Sequence, residues 1–410
     1  MFSSLSDARA RLLPIIVVWT GLLVCVYSIA SDPHGQWDFQ VYYSAAHAFV
    51  QGGNPYHPLR TYLGPSGDVV FQYPPVILYV FLWTNLLSLA AAKLVWLGLK
   101  LAALGALLWV WHKDFERLDA NWPTVLFIAL GLNATLLRDF TCGNISTFEQ
   151  LGLWLAFGLL VRDRPYAAAV ILACVAQFKL LPAAFIALIP LVRPNDGWKP
   201  CLTGFALFLA LLALNPLCYP ELTQNYLSLF TDANPRMDDR GVHNPSSLAL
   251  FRDLIDLTAY APGLPYNRTA GTRAYIAYLV ALILLLIRAG WNMRGRVRAA
   301  DPRLALYFGC AFAAVAMPRM KDYSYILMLI PALFVVRDIA RRGIAPDYFL
   351  LGLALLIWAQ PQQTYVPGLE ALIYMLQAYL PLLVSTAIMI YVLRLLPQES
   401  PEPVPVPATG

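Results

Sequence analysis

Residues 12–30 read LLPIIVVWTGLLVCVYSIA, an uncharged run of 19 residues directly behind Arg9 and Arg11. About 20 apolar residues cross the hydrocarbon core of a bilayer as a helix, so this stretch has the length of a membrane span. Ser28-Ile29-Ala30 also resembles a small-residue cleavage site. A signal peptide is therefore the alternative, but the run exceeds the roughly 7–15 residues of a signal h-region. An uncleaved helix with a cytoplasmic N-terminus is the better reading.

The rest of the chain repeats the pattern. Of 410 residues, 59% are hydrophobic and 13% charged, against roughly 45–50% and 25% in soluble domains. Further candidate spans are Ala91–Trp111, Pro123–Leu137, Thr147–Val161, Cys201–Tyr219, Arg273–Ile287, Leu304–Met317, Tyr323–Val336, Ala345–Ala359 and Leu369–Leu396. The fold class is all-α: a polytopic helical membrane protein of about 10–12 transmembrane helices. One integral membrane domain occupies 1–396, with outer loops over 31–88 and 220–272. A Pro-rich cytoplasmic tail follows over 397–410, with a composition that predicts disorder.

Charge sets the orientation. Arg288, Arg294, Arg296, Arg298 and Arg303 crowd one loop, and Arg337, Arg341 and Arg342 another, so the positive-inside rule puts both in the cytoplasm. The net charge of +5 is explained by these clusters and gives no reason to invoke nucleic acid. Counting back from them, Tyr166–Val192 must leave and re-enter on the same side, which predicts two short helices broken at Lys179 and Pro182. Val69–Ser88, with Tyr73-Pro74-Pro75, should dip in and return on the outer side. Both termini are then cytoplasmic, in a multi-pass protein of the cell (plasma or inner) membrane.

Both outer loops carry amphipathic helical patterns. In the first, Phe39, Tyr42, Tyr43, Ala46, Phe49 and Val50 oppose Gln40, Ser44, His47 and Gln51, with Asp38 at the N-cap position. In the second, Leu222, Tyr226 and Leu229 form one stripe and Leu250, Phe251, Leu254 and Ile255 another. Arg236, Asp238, Asp239 and Arg240 read as a solvated charge cluster. Five of the six cysteines fall in or beside apolar runs; Cys142 alone falls in a polar loop, and a disulfide to Cys218 is disfavoured.

Polar groups beside membrane helices are costly and need a reason. Asp38, Arg138, Asp139, Asn144, Lys179, His243, Asn244, Arg319, Lys321 and Asp322 all fall toward the outer side. One carboxylate among several cations suits transfer chemistry on a lipid-linked phosphate: cations hold the phosphate and an Asp takes a hydroxyl proton. Each residue also has a plainer role, Asp38 as a helix cap and Arg138 with Asp139 as an interfacial ion pair.

The motifs Trp37-Asp38-Phe39-Gln40-Val41-Tyr42-Tyr43, Gly53-Asn54-Pro55-Tyr56 and Tyr73-Pro74-Pro75 resemble the first outer loop of glycosyltransferase family 87, integral membrane enzymes of the GT-C class. The resemblance continues through Gly143-Asn144-Ile145-Ser146, Lys179-Leu180-Leu181-Pro182, Asn244-Pro245-Ser246 and Met317-Pro318-Arg319. It implies an inverting hexosyl transfer, mannose being the family-level expectation, from a polyprenyl-phosphate sugar to a lipid or glycan acceptor on the extracytoplasmic face, among membrane lipids. Asp38 would be the base. Lys179, Arg319, Lys321, His243 and Arg138 are candidates for the donor phosphate, and Tyr42, Asn54, Tyr56, Tyr73, Asn144 and Asn244 for the substrates. The family commonly has Gly-Gln followed by Asn at Gly143-Asn144-Ile145-Ser146, and often His-Tyr at Asp322-Tyr323. No acidic cluster has metal-site spacing, so no cofactor is expected, with a divalent metal left open. The competing class is a transporter or flippase, whose site would lie nearer the bilayer midplane.

Overall fold

The structure is a computed structural model that describes residues 2–56, 70–119, 121–231, 241–258, 268–292, 301–341, 343 and 370–396. Fifteen α-helices occupy the described residues, with no strand among them. They are α1 (Phe2–Ser31), α2 (Trp37–Val50), α3 (Leu89–Asp114), α4 (Trp122–Cys142), α5 (Ser146–Val161), α6 (Pro165–Val175), α7 (Leu181–Ile186), α8 (Ile189–Val192) and α9 (Trp198–Cys218). Then come α10 (Pro220–Thr231), α11 (Ser247–Thr258), α12 (Arg268–Asn292), α13 (Pro302–Ala316), α14 (Leu329–Ala340) and α15 (Glu370–Leu395). Among the described residues, seven stretches are long and apolar enough to cross a membrane, one of them running from the 3-10 turn at Asp322 through α14, and five further apolar helices are shorter. The protein is a polytopic helical membrane protein.

Lipid is the solvent of the outer faces. Trp19, Leu23 and Tyr27 on α1 and Leu284, Leu285 and Ile287 on α12 stand bare, which lipid tails tolerate because they are as apolar as leucine. Inside the bundle, α3 packs on α5, α5 on α6, α6 on α9 and α13 on α15. Trp111, Trp154, Phe157 and Tyr307 fill its centre.

The Tyr166–Val192 segment follows the sequence expectation of a broken helix and refines it. Tyr166–Val192 is broken where predicted: α6 stops at Val175, Lys179 lies in the gap, and Pro182 sits in the first turn of α7, where a proline costs no hydrogen bond. A second interruption separates α7 from α8. Pro75–Leu86 is a 3-10 helix too short to span, and α2 packs along it.

The first outer loop departs from the simple amphipathic picture. Gln40, assigned to the solvent face, is buried with its Nε2 donating to the Gly35 carbonyl at 3.0 Å, while Val50 is exposed. The helix begins at Trp37 with Gln36 at the cap in a left-handed conformation, so Asp38 is a first-turn residue and makes no cap. A second hydrophobic cluster, centred on Phe39, Tyr42, Phe71, Phe81 and Trp96, fixes this loop to the start of α3. The Phe39 ring stacks on Trp96 at 5.1 Å. Of the four residues assigned to the polar face, only Gln40 is fully buried; Ser44 and His47 are half-buried and Gln51 is exposed.

Cys142 is the last residue of α4, buried, and both it and Cys218 are free thiols. The Arg236–Arg240 cluster, the Ala345–Ala359 run and the 397–410 tail lie outside the described residues.

Candidate active site

The turn between α4 and α5 organises the site. Gly143 adopts φ +69°, and a Cβ there would stand 2.8 Å from Cβ of Gln36. Glycine thus lets this turn press against the start of α2. From α3, Trp96 Nε1 donates to the Gly143 carbonyl at 2.9 Å and Lys100 Nζ to the Asn144 carbonyl at 2.6 Å. Lys100 also donates to the Asp139 carbonyl and pairs with its carboxylate at 2.6 Å, both side chains being fully buried. Asp139 Oδ2 in turn accepts from Thr147 Oγ1 and from Thr147 N, one of the orphan backbone donors at the N-terminus of α5. The turn is held from both sides before any substrate binds.

Asn144 then reaches Asp38. Its Nδ2 donates to Asp38 Oδ2 at 2.6 Å and to the Tyr42 hydroxyl at 3.2 Å. The Tyr42 and Tyr73 hydroxyls are 3.0 Å apart. On the other side, Lys179 Nζ donates to Ser146 Oγ at 2.6 Å and to Asn144 Oδ1 at 3.4 Å. It pairs with Glu149 Oε2 at 2.8 Å and lies 5.2 Å from the centre of the Tyr323 ring.

These groups face a cavity of about 620 Å³, within the range of small-ligand sites. Asp38, Tyr42, Tyr73, Asn144, Glu149, Lys179, Arg319 and Lys321 line it, with Leu180, Leu181, Leu212 and Phe178 on an apolar side. Burial pushes the Asp38 carboxyl up to about 6, against the opposing pull of the Asn144 hydrogen bond and of Lys321 and Lys179. A carboxyl at about 6 is ionised at neutral pH and still basic enough to take a proton.

Seven sequence-predicted residues therefore meet at one cavity: Asp38, Tyr42, Tyr73, Asn144, Lys179, Arg319 and Lys321. Five stand elsewhere. Asn54 Oδ1 accepts from Tyr56 N in a local turn, and the Tyr56 hydroxyl holds the Tyr73 carbonyl at 2.8 Å. Asn244 Oδ1 accepts from Met320 N at 2.9 Å; Ser246 Oγ donates to the Pro318 carbonyl and Tyr325 to the Pro245 carbonyl. The Asn244-Pro245-Ser246 motif thus braces the strap that carries Arg319 and Lys321. His243 is exposed in a 3-10 turn and does not line the cavity.

Arg138 pairs with Asp322 at 3.1 Å, so the expected Arg138–Asp139 pair is replaced by Arg138–Asp322 and Lys100–Asp139. Adjacent residues on a helix point about 100° apart and cannot face each other. Sequence reasoning missed Glu149, Lys100 and Tyr323. The first two stand inside runs read as spans, and an ionisable residue within a span is the signal that would have found them.

A carboxylate and three cations thus line one cavity in a membrane bundle. The profile of glycosyltransferase family 87 matches residues 71–318, more than half of the chain, and the protein belongs to that family. It is a glycosyltransferase, which answers the transporter alternative. A relative is the polyprenol-phosphate-mannose-dependent alpha-(1-2)-phosphatidylinositol mannoside mannosyltransferase of Mycobacterium tuberculosis, 25% identical over 342 residues, covering 78% of this chain and 75% of the relative. Among solved structures, apo ArnT from Cupriavidus metallidurans aligns with a TM-score of 0.41 and 14% identity over 92% of this chain and 77% of that one.

Proposed function

We propose that the enzyme transfers a hexose, mannose by kinship with the mycobacterial relative, from a polyprenyl-phosphate donor to a hydroxyl of a lipid or glycan acceptor, with inversion. One observation carries this reading: Asp38 shares a cavity with Lys179, Arg319 and Lys321, while the other carboxylate that lines it, Glu149, is paired with Lys179. The acceptor oxygen attacks the anomeric carbon as Asp38 takes its proton. The bond from that carbon to the phosphate oxygen breaks with its electron pair, and the three cations stabilise the released polyprenyl phosphate. With those cations present the reading assigns no cofactor. His243 and Arg138, which stand off the cavity, have no part in it.

The reaction faces the extracytoplasmic side in this reading. The opposite end of the bundle gathers the basic residues: Arg162 pairs with Asp114, and Arg337 with Glu116 and Asp119, where the ends of α3, α5 and α14 meet the start of α13. Positive-inside bookkeeping makes that end cytoplasmic.

The test is transfer of label from polyprenyl-phosphate mannose by purified protein in detergent, with a native lipid extract as acceptor, followed across pH. Transfer without any membrane potential is expected. Because Asp38 acts as a base only when ionised, the rate should rise with pH through about 6 and then level off. Absence of transfer from polyprenyl-phosphate mannose at every pH would overturn the reading.

A further inference from the structure

We propose that Asn144 is a positioning residue: through a single side-chain amide it aims the Asp38 carboxylate and ties it to Lys179, so that the base and the phosphate-side cation are held as one unit. The inference rests on the transferase reading of the cavity and goes beyond it by giving Asn144 a role other than substrate binding.

Hydrogen-bond capacity decides between the two roles. A side-chain amide has two N–H donors and one carbonyl acceptor with two lone pairs. In Asn144 both donors are committed, to Asp38 Oδ2 and to the Tyr42 hydroxyl. The carbonyl accepts from Ser146 N at 3.1 Å and Ser146 Oγ at 2.8 Å, with Lys179 Nζ at 3.4 Å. Nothing remains to offer a sugar hydroxyl. The amide also has only one workable orientation, since the flipped one would turn its N–H groups on the Ser146 N–H and the Lys179 ammonium.

The backbone of Asn144 is just as constrained. Its N–H donates to the Asp139 carbonyl at 3.1 Å and its carbonyl accepts from the fully buried Lys100. A residue that is 3% exposed and satisfied at every polar atom is a rigid bracket. Catalytic groups need such brackets, because a displacement of about 1 Å can cost on the order of a hundredfold in rate.

The charged and titratable groups around Asp38 come from several elements: Tyr42 on α2, Tyr73 before the first 3-10 helix, Lys100 on α3, Asp139 and Cys142 on α4, Lys179 in the break after α6, Lys321 on the strap and Tyr323 in the 3-10 turn that follows it. Asn144 is the neutral group among them that touches the carboxylate, and it does so as a donor to the ionised form. Removing that donor makes Asp38 harder to ionise.

The experiment compares Asn144→Ala and Asn144→Asp with wild type by two readouts: the pH–rate profile, and infrared titration of the Asp38 carboxyl band, identified by its loss in Asp38→Asn. In Asn144→Ala the acid limb and the band should move up together by roughly one pH unit. The turnover number should fall at least tenfold while the KM for polyprenyl-phosphate mannose changes less than about threefold. Asn144→Asp is isosteric and keeps the acceptor side toward Ser146 and Lys179, so it reads the same point if the alanine variant fails to fold. It sets a carboxylate against Asp38 and should move both readouts further. A limb and band at their wild-type positions in both variants, or a raised KM with an unchanged limb, would overturn the proposal. A band that shifts as expected in a protein that transfers no sugar would support the bracket and count against the transferase reading.

Discussion

Replacing Asp38 by asparagine should lower sugar transfer on the order of a thousandfold, about 4 kcal/mol in the barrier, while leaving the protein folded and membrane-inserted. The size follows from the loss of proton acceptance alone. An asparagine has the same shape, and its side-chain oxygen can still accept from Asn144 Nδ2, which lies 2.6 Å from Asp38 Oδ2. The aromatic packing of α2 against Trp96 and the 3-10 helix does not involve the carboxylate. Donor binding should survive as well, because the cations lie on Lys179, Arg319 and Lys321. The comparison is initial rate of label transfer together with gel-filtration profile and melting temperature in detergent. Wild-type rates in the variant would remove Asp38 from the chemistry.

The largest effect on stability is expected at Lys100. Its ammonium is fully buried within α3 and pairs with an equally buried Asp139, with two backbone carbonyls as further acceptors. Removing one member of such a pair strands the other without compensation, at a cost of about 3–5 kcal/mol. Lys100→Met should therefore unfold at markedly lower temperature or denaturant. It should also lose transfer, because the Asn144 carbonyl loses its anchor.

The double variant Lys100→Met with Asp139→Asn separates charge from shape. The asparagine oxygen can still accept from Thr147 N and Oγ1, so much of the stability should return once no buried charge is left unpaired. Denaturant unfolding of the single and double variants is the check. A single variant as stable as wild type would show that the pair is not a structural keystone.

Those two residues also mark what could be read from the chain alone. The spans were legible because lipid demands long uncharged runs, and the break at Lys179 and Pro182 because loop charges fixed the parity of the crossings. The cavity residues Asp38, Lys179, Arg319 and Lys321 stood out because a charge beside a membrane segment is conspicuous. Lys100 and Glu149 did not, being isolated charges inside runs that otherwise read as spans, and their partners come from distant parts of the chain. Arg138 shows the converse: its neighbour in sequence suggested a pair, and helix geometry sent it to Asp322 instead. Gln40 was misassigned because amphipathic periodicity sees one helix at a time and cannot know that the Gly35 carbonyl, before the helix, will take up its amide.

The supporting residues were the least legible. Asn54, Tyr56 and Asn244 lie in motifs that carry the family resemblance, and the structure uses them to hold Tyr73 and the 317–321 strap. A motif reports that a residue type is needed at a position. Whether the need is contact with a ligand or a bracket one layer behind it depends on the fold, which brings Asn144 and Asp38 together across more than a hundred residues.

The central claim is a single displacement at the anomeric carbon with Asp38 as base, and the configuration of the product tests it most directly. A donor of known anomeric configuration should give, by nuclear magnetic resonance of the purified product, a glycoside of the opposite configuration. Attack by the acceptor on the face away from the phosphate allows no other outcome, whereas retention needs a carboxylate that first captures the sugar. A product with the donor's own configuration would contradict the account.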